Sequence, residues 1–260
     1  MFSKKFGCYF VMGNFEAGKT FGTFLDLYWL DKKKNYIIAN IPYKKVDLFY
    51  STRDDLYGVF DDLEVWVNET NSKLEWFDQS KFKNIHLVID EAQLYFPSNV
   101  IKLELADRLK VFLSQCRKRN ISVYFISQRT ALVQKMIRRY SDFIIRYKRR
   151  TFYLLGTTWC RRYIYENEAD ISDINWEDGN NVYISTEKDG NTQKIEPKPL
   201  YTEIFFPVRK LFRKLRVGEW FSTPEQRELA KEKHLSKYIS SLPDVHAQNS
   251  LNVQDLVIKK

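Results

Sequence analysis

Short runs of apolar residues alternate with helix-like segments through the first 150 residues. The runs contain few polar positions, which is typical of strands that helices cover on both faces. The predicted strands are Phe6–Met12, Tyr36–Asn40, Ile85–Ile89, Ile121–Ile126 and Asp142–Tyr147. Lys19–Leu30 and Leu103–Arg119 are predicted helices, and Ser51–Phe77 is predicted to be mostly helical. This alternation predicts an α/β fold with a mostly parallel sheet and flanking helices.

The pattern changes after residue 150. Short alternating segments, separated by turns that contain glycine, predict a small antiparallel β extension over residues 151–204. Residues 205–216 are basic and amphipathic, and Ser222–Lys260 is polar, so a helix followed by a loose tail is expected. We therefore predict a core over residues 1–150, the extension over 151–204, and a C-terminal part over 205–260.

Composition narrows the class of protein. Hydrophobic residues at 44% and aromatic residues at 16% suffice for a sizeable core and exclude wholesale disorder. The formal net charge of +9 favours a polyanionic partner, either nucleic acid or an anionic membrane surface. Three widely spaced cysteines offer no metal-binding pair and favour a reducing compartment. Without a run of about 18 apolar residues, no transmembrane helix is predicted. We expect a cytoplasmic protein, with peripheral attachment at the inner membrane as the alternative.

The segment between the first strand and the first helix carries the clearest chemical signal. It reads Gly13-Asn14-Phe15-Glu16-Ala17-Gly18-Lys19-Thr20 and fits G-x-x-x-x-G-K-[ST] completely. Glycines let backbone amides wrap closely around phosphate oxygens, Lys19 is spaced to reach the β- and γ-phosphates, and Thr20 can ligate Mg²⁺. We predict a binding loop for ATP and Mg²⁺, in which Lys19 faces solvent and the Glu16 carboxylate points outward.

Two acids, Asp90 and Glu91, follow the third predicted strand. We expect this strand to lie beside the loop, so that Asp90 can hold Mg²⁺ and Glu91 can polarise a water for attack on the γ-phosphate. Acids also follow strands as helix caps, so it is their occurrence together with the loop that favours catalysis. A glutamate next to the metal aspartate suits ATP hydrolysis more than a small-molecule kinase.

Three further residues are candidate catalytic groups. Gln128 follows the fourth predicted strand, where an amide near the γ-phosphate can orient water; a solvated strand end is the alternative. Arg117 and Arg119 end the helix before that strand, and we expect them on the side of the sheet that carries the nucleotide. There, either arginine can reach the ATP of a neighbouring subunit, unless both only cap the C-terminus of their helix.

These motifs, in this order, resemble those of the zonula occludens toxin family of filamentous-phage assembly ATPases, which is placed near the FtsK–HerA group of DNA-pumping motors. The resemblance rests on Gly13–Thr20, on Ala39-Asn40-Ile41-Pro42, on Val88–Gln93, and on Cys116–Asn120 followed by a strand and Ser127-Gln128. It covers about residues 6–150, with the hairpin region to about 200 compatible. It implies a RecA-like P-loop ATPase core and a ring-forming homo-oligomer that moves phage or plasmid DNA.

The chain departs from the family pattern in two places. Phe15 and Glu16 replace the smaller residues that are usual in the loop. No membrane span is predicted after the core, although the family typically carries one, and this favours soluble packaging over extrusion.

Basic residues crowd the end of the fifth predicted strand and the hairpin that follows it. They are Arg138, Arg139, Arg146, Lys148, Arg149, Arg150, Arg161 and Arg162, with Tyr140 and Tyr147 interleaved. If they face a ring lumen, they would neutralise DNA phosphates without reading bases; a solvated basic face is the alternative. The amphipathic segment 205–216 suits a membrane surface, DNA or packing against the domain.

The sequence therefore predicts Mg²⁺-dependent ATP hydrolysis that drives packaging or extrusion of viral DNA during virion morphogenesis, in the host cytoplasm. Two alternatives stay open. One is a membrane-associated assembly or secretion ATPase that moves protein, and the other is a P-loop binding protein whose hydrolysis is vestigial. Stimulation of turnover by DNA distinguishes the motor from both.

Overall fold

A computed structural model of the chain describes residues 6–15, 17–68, 73–98, 103–152, 157–167, 184–188, 191–195 and 198–205. Its strands are β1 (Gly7–Met12), β2 (Asn35–Ala39), β3 (Leu48–Phe49), β4 (Asn84–Ile89), β5 (Ile121–Ser127), β6 (Phe143–Phe152), β7 (Thr157–Glu166), β8 (Ile184–Lys188), β9 (Asn191–Ile195) and β10 (Tyr201–Phe205). Its helices are α1 (Lys19–Tyr28), α2 (Arg53–Asn68), α3 (Ala92–Tyr95), α4 (Leu103–Gln115) and α5 (Lys135–Tyr140). Two 3₁₀ turns, Cys116–Arg119 and Thr130–Leu132, flank β5.

Eight strands form one sheet in the order β10-β7-β6-β1-β5-β4-β2-β3. The six strands from β6 to β3 in this order run parallel. Strands β7 and β10 extend the edge in antiparallel orientation, and β8 pairs with β9 in a separate hairpin. The predicted α/β fold is thereby confirmed, with its mostly parallel sheet and its antiparallel strands at one edge. Strand β6 continues through residue 150 to Phe152, so the extension shares a strand with the core.

The parallel strands are apolar throughout because both faces of the sheet are covered. In β1, Cys8, Phe10 and Met12 join one buried layer, whereas Tyr9 and Val11 join the other. Helices α2 and α4 contribute to the first layer and α1 to the second. This alternation follows from the two-residue period of a strand, and it fixes α1 on the face opposite α2 and α4.

The segment Ser51–Phe77, predicted to be mostly helical, contains α2, which begins at Arg53 and ends at Asn68. Residues 73–83 form an irregular segment in which Phe77 and Phe82 pack edge-on against Tyr36, with ring centroids 5.6 and 5.1 Å apart. Edge-to-face packing of buried aromatic rings is favourable, and it gives these side chains a place in the core without a helix.

The C-terminal part predicted from residue 205 lies outside the described residues, apart from Phe205 itself. Two of the glycine-containing turns predicted after residue 150, at Gly156 and at Asp178–Asn180, also lie outside them. No helix within the described part of the chain is both long enough and apolar enough to cross a membrane.

Candidate active site

The carboxyl ends of β1, β5 and β4 meet at one edge of the sheet. The register pairs Met12 of β1 with Ser127 of β5, and β4 runs parallel to β5 on its other side. The residues that follow these strands, Gly13, Gln128 and Asp90, therefore lie at the same edge. Strand β5 lies between β1 and β4, so β4 is not the direct neighbour of the strand that leads into the loop. Asp90, which follows β4, nevertheless contacts the loop through Thr20.

Two glycines of the loop occupy positions that no larger residue fits. Gly13 has φ +150°, and a Cβ there would lie 2.5 Å from the carbonyl oxygen of Tyr147. Gly18 has φ +89°, and a Cβ there would lie 2.9 Å from Cys160 Sγ. At Gly13 and Gly18 the loop backbone therefore packs directly against β6 and β7 without a side chain between them. The absence of side chains at these two positions also lets the loop amides approach a phosphate closely.

The other loop residues divide by exposure. Ala17 is buried, and its N–H donates to Asn14 O at 3.1 Å. Asn14 is exposed, and 74% of Phe15 is exposed. Glu16 lies outside the described residues, so its outward orientation stays a prediction.

Lys19 does not face solvent, contrary to the prediction, and only 7% of it is exposed. Its Nζ donates to Gly13 O at 2.8 Å and to Asn14 O at 3.0 Å, because an ammonium near the loop binds the acceptors available there. Burial lowers the pKa of Lys19, while the charges of Glu91 and then Asp90 raise it. The ammonium is therefore held inside the loop and close to both acids.

A hydrogen bond joins the loop to the acidic strand. Thr20 Oγ1 donates to Asp90 Oδ2 at 2.9 Å, and the Glu91 N–H donates to Asp90 Oδ1 at 3.0 Å. Burial raises the pKa of Asp90, and these two hydrogen bonds oppose the rise. A threonine hydroxyl and a carboxylate in contact are the oxygen ligands that Mg²⁺ takes beside a phosphate chain. Among the described residues, no group of three or more His, Cys, Asp or Glu could hold a metal ion.

Asn40 fixes the backbone of Asp90, a role that sequence reasoning missed. Its Nδ2 donates to Asp90 O at 2.8 Å, and its Oδ1 accepts from the Asp90 N–H at 2.8 Å. The same Nδ2 lies 3.2 Å from the Tyr95 hydroxyl. An amide at the end of β2 was visible in the sequence, but its partner on another strand was not.

Glu91 has a left-handed backbone, with φ 51° and ψ 49°, and its side chain meets two glutamines. Gln128 Nε2 donates to Glu91 Oε1 at 2.7 Å, and Gln93 Nε2 donates to Glu91 Oε2. The structure thus brings the predicted pair of Glu91 and Gln128 together. Gln93, which was not a predicted site residue, completes the contact.

The expected position of the two arginines is wrong. Arg117 and Arg119 lie in the 3₁₀ turn before β5. The seven residues of β5 place the amino and carboxyl ends of this strand about 20 Å apart. The two arginines are therefore at the edge opposite the loop. There Arg117 pairs with Asp142, whose Oδ2 also accepts from the Cys8 N–H at 2.7 Å, and the Arg119 guanidinium lies 5.5 Å from the Trp66 ring centroid.

The basic cluster is divided between surface and interior. Arg162 is 1% exposed and is paired with Asp26 of α1 and Glu203 of β10, and its Nη1 also donates to the Tyr147 hydroxyl at 3.2 Å. Arg146 is also buried. These two cannot belong to a surface that contacts DNA in this conformation. Arg139 and Arg149 are exposed, and Arg138, Lys148 and Arg161 are half-buried.

Similar proteins of known structure share little sequence with this chain. The N-terminal domain of zonular occludens toxin from Neisseria meningitidis is 13% identical, over 66% of this chain and 99% of that chain, with a TM-score of 0.43. The genome packaging NTPase B204 from Sulfolobus turreted icosahedral virus 2, in complex with ATP-gammaS, is 13% identical, over 76% and 100% of the chains, with a TM-score of 0.41. The flagellar accessory protein FlaH from Methanocaldococcus jannaschii is 13% identical, over 72% and 88%, with a TM-score of 0.39.

The family of this chain follows from a match to a family model over most of its length. No curated protein matches the chain. The family model of zonular occludens toxin (Zot) matches residues 7–174, a region that contains the loop, the acid pair, Gln128 and the strands that hold them. Because this match spans well over half of the chain, the protein belongs to the zonular occludens toxin family.

Proposed function

We propose that this protein hydrolyses ATP at the edge formed by β1, β4 and β5. The observation that carries the proposal is the hydrogen bond of 2.9 Å between Thr20 and Asp90, with Glu91 next in sequence. It joins a complete phosphate-binding loop to an acid pair at the adjoining strand tips. A nucleotide-binding loop alone would fit many activities, whereas a glutamate beside the metal aspartate favours hydrolysis.

The loop residues bind the triphosphate. Backbone N–H groups of the loop and the N-terminus of α1 would donate to phosphate oxygens, which the bare Gly13 and Gly18 allow to approach. Lys19 would exchange its two carbonyl partners for the β- and γ-phosphates. Thr20 and Asp90 would hold Mg²⁺, which neutralises charge on the phosphates when bound.

Glu91 would act as the general base. A water oxygen attacks the γ-phosphorus, the bond from that phosphorus to the β–γ bridging oxygen breaks, and its electron pair leaves with ADP. Glu91 accepts the proton that the water loses. Its carboxylate suits this role because Glu91 directly follows Asp90, whose side chain contacts Thr20 of the loop.

We extend the proposal to a motor that moves viral DNA during virion assembly as a ring of identical subunits. Membership of the family and the formal net charge of +9 support this finer function. The exposed or half-buried basic residues of β6 and β7, chiefly Lys148, Arg149 and Arg161, are the residues we assign to DNA phosphates.

ATP turnover with and without DNA tests the proposal. The wild-type protein should hydrolyse ATP with Mg²⁺, and double- or single-stranded DNA should raise the rate. Lys19→Ala should lower turnover about a hundredfold or more, as loss of a group that stabilises transition-state charge does. Lys33→Ala, which changes an exposed lysine in the turn after α1, is the matched control and should leave the rate unchanged.

The same assay separates the alternatives. Turnover that anionic vesicles stimulate and DNA does not would favour the membrane-associated ATPase. Nucleotide binding without measurable wild-type turnover would leave a binding protein and end the proposal of hydrolysis. Because Lys19 is buried, thermal melting must show that the variant is folded.

A further inference from the structure

Both oxygens of the Glu91 carboxylate accept a hydrogen bond from a glutamine amide. Gln128, after β5, donates to Oε1, and Gln93, in the short helix α3, donates to Oε2. A glutamate side chain has three rotatable bonds and would otherwise sample several positions. The two amides, one after β5 and one in the short helix that follows Glu91 itself, therefore define where the carboxylate lies.

Gln93 is itself held by a buried residue. Ser127, the last residue of β5, is fully buried, and its hydroxyl proton is shared between Gln93 Oε1 at 2.8 Å and Arg129 O at 2.9 Å. The carbonyl side of the Gln93 amide is thus used by Ser127, which leaves the NH₂ side to face Glu91. A continuous chain of hydrogen bonds runs from the end of β5 through Gln93 to Glu91 and back to Gln128.

We infer that Gln93 is a positioning residue that holds Glu91 in place for hydrolysis. The inference rests on the proposed function. A general base works only within hydrogen-bond reach of the proton that it takes, and small errors of position are costly in rate. In this scheme the Gln93 amide contacts Glu91 and Ser127, and it has no assigned contact with the attacking water or the phosphate. It acts through Glu91 alone.

The left-handed backbone of Glu91 makes such anchoring necessary. A non-glycine residue seldom adopts this region, and it persists there only where neighbouring contacts hold it. Both contacts on the side chain come from glutamines, and the backbone N–H is bound by Asp90. Loss of the Gln93 contact would free one carboxylate oxygen while leaving the loop and Asp90 intact.

Steady-state kinetics of Gln93→Met test the inference, because methionine has the length of glutamine but no hydrogen-bonding amide. We expect kcat to fall about tenfold to a hundredfold, part of the full contribution of a positioned base. The dissociation constant of a fluorescent ATP analogue and the melting temperature should not change. Gln115→Met, at the end of α4 on the opposite edge, is the matched control and should keep the wild-type kcat.

A second variant and a double variant show whether Gln93 acts through Glu91. Gln93→Glu keeps the length but places a second carboxylate beside the base, so its kcat should fall at least as far. In a Glu91→Gln background, Gln93→Met should cause no further loss, because the group that it positions is already gone. A purely structural role would lower the residual rate in that background as well.

The outcomes distinguish the inference from the proposed function. Wild-type kcat in Gln93→Met, an equal loss with and without Glu91, or a parallel loss of nucleotide binding would each overturn the positioning role. Hydrolysis by the wild-type protein would still stand in all three cases. Absence of hydrolysis in the wild-type protein would remove the proposed function itself, and the inference with it.

Discussion

His86 is a buried histidine whose environment favours the neutral ring. It is 1% exposed, its Nε2 lies 2.9 Å from Asn35 Oδ1, and Nδ1 has no hydrogen-bond partner among the described residues. The Asn35 oxygen also accepts from Asn84 Nδ2 at 2.9 Å. Among the contacts shown for the His86 ring in the described residues, none is with a carboxylate that could compensate a positive charge on it. Burial accordingly lowers the pKa of His86 to about 3. This residue belongs to the core of β4 and is not a site residue.

The neutral state of His86 makes stability depend on pH. Below pH 6.5 the unfolded chain binds a proton at this ring, whereas the folded protein does not until about pH 3. Stability is therefore lost as the pH falls from about 6.5 towards 3, with about 2 kcal/mol lost between pH 7 and pH 5. Urea unfolding at the two pH values measures it. His86→Leu should remove this part of the pH dependence, and an unchanged difference between pH 7 and pH 5 in that variant would refute the assignment.

At the scale of elements, strands β6 and β7 pack directly on the loop Gly13–Thr20 and on α1. Tyr147 of β6 excludes a side chain at Gly13 and at Gly22, where a Cβ would lie 2.3 Å from its hydroxyl. Arg162 of β7 ties Asp26 of α1 to the extension. The helix that carries Lys19 and Thr20 is thus held in part by strands that lie far away in sequence.

This arrangement explains what could be predicted of the elements and what could not. The loop and the acid pair were predictable because a local motif and a preceding apolar strand determine each of them. The burial of Arg162 was not, since its partners lie 136 and 41 residues away and nothing near it in sequence marks it as paired. Asn40 escaped for the same reason, because it binds Asp90 after a neighbouring strand. Gln93 lies only two residues from Glu91, but Ser127, which binds its carbonyl oxygen, lies on another strand.

Arg162→Met tests the connection between the extension and α1. It would leave Asp26 buried without its cation, and burial already raises the pKa of that carboxyl. Loss of one member of a buried ion pair costs about 3–5 kcal/mol, and urea unfolding should show a loss of that size. The exposed Arg149→Met should change stability by no more than about 0.5 kcal/mol. Recovery in the triple variant Arg162→Met, Asp26→Leu, Glu203→Met is expected, and a small loss in Arg162→Met alone would contradict a buried role.

For the whole molecule, the parallel sheet has two ends with different chemistry. The loop, Asp90, Glu91 and Gln128 lie at the carboxyl ends of the strands, whereas the turn with Arg117 and Arg119 lies at the amino end of β5. The position of the turn follows from the direction of the strand, because a residue just before a parallel strand lies opposite the residues just after it. Arg117 and Arg119 were predicted at the carboxyl edge, which is wrong because they precede β5 in the chain.

Opposite edges have a consequence for assembly. An arginine about 20 Å from the loop cannot act on the ATP of its own subunit. A ring whose subunits contact through these two edges would, by contrast, bring the amino edge of one subunit to the carboxyl edge of the next. Arg117 pairs with Asp142 and Arg119 packs on Trp66, so both have partners within the subunit, and Arg119 stays the first candidate for a role at the neighbouring nucleotide.

Mixing of two inactive variants tests this role. Arg119→Ala should lose most ATP turnover, since an arginine that acts in trans is worth about 10³–10⁵ in rate where it has been measured. Its own loop remains intact, and Lys19→Ala retains its own arginine, so mixed rings contain some interfaces with both groups. The mixture should therefore exceed the sum of the separate activities, and wild-type specific activity should rise with protein concentration. Lys118→Ala, in the same turn, is the control and should stay active. Specific activity that is independent of concentration, with no gain on mixing, would leave Arg119 as a residue that only packs on Trp66 at the end of its helix.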